Sequence, residues 1–89
     1  METIKKNKVE LIKDACGKRW YLNDQLHCED GPAVEWPNGD KEWFLNGKRH
    51  REDGAAVIWY RGNRTIRYWY LNDKKITKKE FEKRTEIKK

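Results

Sequence analysis

The sequence predicts a mainly β fold, an antiparallel meander of about three hairpin repeats closed by a short C-terminal α-helix. Three observations lead there. An aromatic segment recurs as Trp20-Tyr21-Leu22-Asn23-Asp24, Trp43-Phe44-Leu45-Asn46-Gly47 and Trp69-Tyr70-Leu71-Asn72-Asp73, with spacings of 23 and then 26 residues. Each copy ends on an Asn-Gly or Asn-Asp pair, the residues that accept the two positive φ angles of a tight hairpin turn. The third copy runs into Thr77-Lys78-Lys79-Glu80, which has the form of a helix capping box.

Residues 9–13, which include Val9, Leu11 and Ile12, form a candidate first strand in an N-terminal segment, residues 1–16. The repeats occupy residues 17–76. Trp, Tyr, Phe and Leu favour extended backbone, and a period of two puts Trp43 and Leu45 on one face with Phe44 on the other. After the first turn, copy one continues His27-Cys28-Glu29-Asp30-Gly31-Pro32-Ala33-Val34, and copy two His50-Arg51-Glu52-Asp53-Gly54-Ala55-Ala56-Val57. These segments reverse the chain before strands over residues 33–36 and 55–60. A second turn follows each, at Pro37-Asn38-Gly39 and Arg61-Gly62-Asn63. The three residues added before the third copy fall near the latter. The helix is expected over residues 77–89, with Phe81 as its main apolar contact and Ile87 a weaker one. Lys83, Arg84, Lys88 and Lys89 suit its C-terminal end. An atypical terminal element of this kind covers the exposed edge of a repeat array.

At 89 residues the chain is expected to form a single domain, with a thin core. Hydrophobic residues make up 36% and charged residues 40%, and much of the apolar material is aromatic: five Trp, four Tyr and two Phe. Large rings bury much area each, which lets a thin sheet hold together. The chain has no apolar run of membrane-spanning length and no N-terminal signal core, so it is expected to be cytoplasmic and not membrane-bound. In that compartment Cys16 and Cys28 are expected to stay reduced. The net charge of +6 divides unevenly: +3 over residues 1–19, −5 over 20–42, +4 over 43–68 and +4 over 69–89.

The unit Trp-Tyr/Phe-Leu-Asn-Gly/Asp, His-x-Glu-Asp-Gly, Ala-Val and a second turn resembles the MORN-like repeats of phage and large-virus proteins. Residues 43–58 follow the family pattern closely, with Ala55 where proline is usual; residues 20–34 follow it with Asp24, Gln25 and Cys28 as departures. The likeness covers roughly residues 17–76. It implies a single-layer or rolled antiparallel sheet, a role in assembly or interaction, and no catalytic residues. Some MORN proteins associate with membrane lipids, but no lipid motif is matched here.

His27 and His50 are the evident catalytic candidates, yet they hold equivalent repeat positions, which points to turn architecture. Each imidazole is expected to bond its own Glu-Asp-Gly turn, Asp30 and Asp53 to accept backbone N–H groups within it, and Gly31 and Gly54 to supply a conformation closed to other residues. A zinc set of Cys16, His27, Cys28 and His50 matches no finger or ribbon spacing, and the adjacent His27 and Cys28 are awkward ligands for one tetrahedral ion. Neither cysteine has a separate activating partner. No catalytic residue, metal or cofactor is therefore expected. The strongest binding signal is the arginine–aromatic run of residues 59–69, with Tyr60, Arg61, Arg64, Arg67 and Tyr68, joined by Arg49 and Arg51 of the basic second copy. Such a surface serves protein hot spots or stacks bases and neutralises phosphates. The expectation is a non-enzymatic binding protein whose partner is a host protein, which it inhibits or redirects, in the manner of a phage-encoded anti-defence factor. Nucleic acid or a nucleotide is the alternative partner. A sheet with aromatics on both faces also leaves room for a homodimer.

Overall fold

The computed structural model describes residues 9–87, with side chains as far as Arg84. The chain is mainly β, antiparallel throughout, with one C-terminal helix. The main sheet runs β1 (Val9–Asp14), β2 (Gly17–Leu22), β4 (Val34–Glu35), β5 (Lys41–Glu42), β8 (Val57–Arg61), β9 (Arg64–Leu71) and β10 (Lys74–Ile76), with β3 (Gln25–Leu26) paired to β2. A separate hairpin joins β6 (Phe44–Leu45) and β7 (Lys48–Arg49). The expected strand over residues 9–13 is thus present as β1.

Each aromatic copy closes a hairpin through the expected turn. Both central residues have positive φ in all three: Asn23 51° and Asp24 68°, Asn46 51° and Gly47 80°, Asn72 50° and Asp73 70°. That is the type I′ geometry, whose twist matches the strands it joins.

The path is less simple than a plain meander. The first half of β2 pairs with β4 (Lys18 with Glu35, Arg19 with Val34), while its second half pairs with β3 (Tyr21 with Leu26). The return arm is so short that the chain can come back beside the same strand. In copy two this division breaks the aromatic strand at Trp43 into β5 and β6. In copy three it stays whole as β9, which pairs with β8 through Tyr68 and with β10 from Trp69.

Neighbouring hairpins are joined by the same backbone bonds. Cys28 N–H donates to Phe44 O (3.1 Å) and Gly47 N–H to Leu26 O (2.9 Å); their counterparts are Arg51 N–H to Tyr70 O (3.2 Å) and Asp73 N–H to Arg49 O (2.7 Å). Trp20 N–H to Ala33 O and Trp43 N–H to Ala56 O repeat in the same way.

Pairing puts Arg19, Val34, Glu42, Val57 and Tyr68 in one row across the sheet. Strand alternation then places Tyr21, Phe44 and Tyr70 on that face and Trp20, Trp43 and Trp69 on the other. The core between copies is small, as its composition implied: Ala33, Val34, Ala55, Ala56, Val57 and Ile76 are buried, and Val57 is the largest side chain fully so. The molecule measures 51 × 37 × 19 Å, thin enough for one layer of sheet.

The helix α1 (Lys78–Ile87) begins where the capping box put it. Glu80 N–H donates to Thr77 Oγ1 (3.0 Å) and Thr77 N–H to Glu80 Oε1 (2.9 Å). Phe81 packs on Trp69, with ring centres 6.3 Å apart. The side chain of Ile87, expected to make a weaker contact, lies beyond the described side chains, and Lys88 and Lys89 lie outside the described residues.

Candidate binding surfaces

The extra residues of copy three lengthen one hairpin. Between β4 and β5 the chain turns through 36–40, directly after Glu35 pairs with Lys41. Between β8 and β9 the equivalent stretch keeps pairing, as Trp59 with Ile66, Tyr60 with Thr65 and Arg61 with Arg64. The result is a hairpin running past its neighbour's end, with Gly62 (φ 62°) in its turn.

Asp40 anchors this hairpin. Its carboxylate is nearly buried and accepts Tyr60 N–H and Arg61 Nη1, both at 2.8 Å. Burial works against its ionisation, but the Tyr60 amide, the Arg61 guanidinium and the Asn38 side chain outweigh that and hold its carboxyl below the usual aspartate range. Asp14 plays a similar part at the β1–β2 turn, where Cys16 N–H and Arg19 lower its pKa.

The seven arginine and tyrosine side chains of the sequence-level surface do not form one patch. Pairing and alternation put Arg61, Arg64 and Tyr68 on one face, Tyr60 and Arg67 on the other. Three of the arginines are engaged within the fold. Arg49 pairs with buried Glu42 (3.2 Å) and sits between the Phe44 and Tyr70 rings, at 5.5 and 5.4 Å. Arg51 lies 3.9 Å over Trp43 and bonds Asp53. Arg61 bonds Asp40 and approaches the Trp59 ring at 5.4 Å. Tyr68 packs edge-on against Trp59, with Lys75 Nζ 4.3 Å from its ring centre. Arg64, Arg67 and Tyr60 are exposed.

His27 and His50 do more than bind their own turns. Their Nε2 atoms approach Glu29 (3.4 Å) and Glu52 (3.3 Å), as expected. Each Nδ1, however, accepts a backbone N–H from the next copy: Asn46 to His27 at 2.8 Å and Asn72 to His50 at 2.9 Å. With Nδ1 accepting, the ring proton sits on Nε2, facing the glutamate. The histidines therefore join repeats.

The expectation for Gly31 and Gly54 is corrected. Neither has positive φ; that conformation belongs to Gly17, Gly39, Gly47 and Gly62 among the glycines. At Gly54 an added Cβ would lie 2.9 Å from Arg51 Cζ, so the arginine side chain would have to shift, whereas at Gly31 it would meet nothing within 4 Å. Asp53 accepts from the Arg51 side chain at 3.0 Å, a bond that sequence reasoning did not foresee.

Grooves open beside all three repeat tryptophans. The one at Trp69 is lined by Arg51, Gly54, Arg67 and Lys78, and two more lie at the earlier copies. One, of about 770 Å³, is lined by Trp43, Leu45, His50 and Arg51 together with residues 28–32 of the copy before. The other, of about 600 Å³, is lined by Trp20, Leu22, His27 and Asp30. Cys16 is exposed and Cys28 half-buried, both as free thiols. Among the described residues no three His, Cys, Asp or Glu side chains gather as a metal site would need, and no helix is long and apolar enough to cross a membrane.

The structure thus defines a single-layer β-repeat protein stapled by histidines. The chain matches no family model, and no curated protein or solved structure is significantly similar to it. The likeness to MORN-like repeats accordingly rests on the repeated residues themselves.

Proposed function

We propose that this is a non-enzymatic binding protein whose partner is another protein, held chiefly by the overlong β8–β9 hairpin. One observation carries the reading: where the repeat departs from its period, the added residues build a projecting hairpin with exposed Tyr60, Arg64 and Arg67. Tyr and Arg are the residue types that dominate protein hot spots. Engagement of Arg49, Arg51 and Arg61 by Glu42, Asp53 and Asp40 leaves less free positive charge for a phosphate backbone, which weighs against nucleic acid. The use of both histidines in holding backbone supports a role without catalysis. The phage-type resemblance supplies the setting: a host protein in the host cytoplasm, inhibited or redirected by stoichiometric binding.

The test is capture from host lysate treated with nuclease, comparing the natural chain with a Tyr60→Ala, Arg64→Glu, Arg67→Glu variant of unchanged circular dichroism. A nuclease-resistant protein should be retained by the first and lost by the second, with affinity reduced at least about tenfold. Capture that vanishes with nuclease, or that the triple variant preserves, would overturn the reading.

A further inference from the structure

The repeat supplies its own internal comparison at the tryptophan face. The three equivalent indoles are Trp20, Trp43 and Trp69. Trp69 is covered by Phe81 of the helix. Trp43 is covered by Arg51, whose guanidinium carbon stands 3.9 Å from the ring centre. The same guanidinium donates through Nε to Asp53 Oδ1 (3.0 Å) and through Nη1 to Ala55 O (3.0 Å). Ring face, carboxylate and carbonyl together make a complete guanidinium seat: cation–π attraction beneath, a charge-assisted bond at one edge and a neutral acceptor at another.

Copy one carries the same parts. Trp20 corresponds to Trp43, Asp30 to Asp53, and Pro32, with its carbonyl, to Ala55. Pro32 in place of Ala55 keeps the carbonyl acceptor; what copy one lacks is the cation, because Cys28 stands where copy two has Arg51. The space differs accordingly. A Cβ added at Gly54 would collide with the Arg51 guanidinium, while at Gly31 it would enter open space. Gly31 lines the groove of about 600 Å³ over Trp20, with Cys28, Asp30 and Pro32, and also borders the adjoining groove over Trp43. Charge agrees, since residues 20–42 carry a net −5 while the copy that contains its own arginine is positive.

We infer that the groove over Trp20 is a receptor for a guanidinium group, the side chain of an arginine presented by a partner protein. The incoming arginine repeats in trans what Arg51 does in cis, with its aliphatic stem passing Leu22 and Cys28. Arginine is favoured over lysine because the planar fork can lie on the indole and still reach carboxylate and carbonyl in its own plane. The site does not depend on the β8–β9 hairpin, from which β4 and β5 separate it in the sheet.

The test uses the full chain, ¹⁵N-labelled and titrated with the peptide acetyl-Gly-Arg-Gly-amide, followed by its lysine and citrulline counterparts. The Trp20 indole N–H resonance should move with the arginine peptide, move several-fold less with lysine at equal concentration, and stay still with citrulline. Cys28→Arg should fill the groove from within, keep or raise the melting temperature, and weaken the peptide response about tenfold or more. Arg51→Cys should open the second seat and add a response at Trp43. Should Cys28→Arg fail to fold, Asp30→Asn keeps the size of the side chain while removing its charge, and should weaken the response several-fold. A Trp20 signal unmoved by the arginine peptide, an equal response to citrulline, or undiminished binding by a folded Cys28→Arg chain or by Asp30→Asn would each overturn the inference.

Discussion

Replacing His50 with alanine should loosen the third repeat from the second. The side chain is only 12% exposed, and its Nδ1 takes the Asn72 amide at 2.9 Å. Losing that bond costs about 1 kcal/mol, and losing the packing of a ring so nearly buried costs about another 1 kcal/mol. Against roughly 0.05–0.15 kcal/mol of stability per residue, the combined loss of about 2 kcal/mol is a large share of what a small domain has. In urea denaturation followed by tryptophan fluorescence, the midpoint should fall markedly. The melting temperature should drop by about 8–15 °C. Because the bond links two copies, cooperativity should suffer too: the Asn72 amide should exchange with solvent faster than the amides of β8. His50→Asn sharpens the test, since its side-chain oxygen can stand near the position of Nδ1 and should recover part of the loss. His27→Ala should behave in parallel, releasing the Asn46 amide at the first junction. A loss below about 0.5 kcal/mol, within the range of an ordinary surface substitution, would refute the stapling role. So would an asparagine variant no better than alanine with both proteins folded.

Two further outcomes follow from the same contacts. The Asp40 carboxyl titrates below its ordinary value of 3.8 in the folded chain, so the native state binds fewer protons than the unfolded state there. Its contribution is complete above that unfolded value and is lost as pH falls through the lower folded one. Stability measured from pH 6 down to 2 should therefore fall at the acid end, and Asp40→Asn should flatten that decline. Thr77→Ala removes the hydroxyl that accepts Glu80 N–H and should cost about 1 kcal/mol. The helix should fray first, which near-ultraviolet circular dichroism would detect as a change around Trp69, the ring that Phe81 covers.

Some of this was plain in the residues. Asn46-Gly47 and its two relatives announced their turns because positive φ at adjacent positions is a local demand that few residue pairs meet. Thr77 and Glu80 announced the helix start for a similar reason, as reciprocal bonds within one turn. The surface was harder to read. Arg61 looked free because its partner, Asp40, is 21 residues back, and no local pattern joins the two. Glu42 gave no sign that it would be buried between Arg49 and Trp59. A rule that a buried carboxylate must find a cation could have prompted the search, but burial itself was not visible in sequence.

The amino-acid sequence alone determined the repeat, its turns, the thinness of the core and the capping helix, since each is written in composition, short-range chemistry or simple periodicity. That the buried apolar residues are Ala, Val and Ile rather than the aromatic rings was not written there. Tertiary structure decided the rest: that β2 pairs with β3 and β4 along its two halves, that His27 and His50 reach into the next copy, and that three arginines are engaged within the fold. It also decided that the seat filled by Arg51 in one copy lies open in the other. Those outcomes depend on the register between strands far apart in the chain. Register is set only when both faces of the sheet settle their packing together.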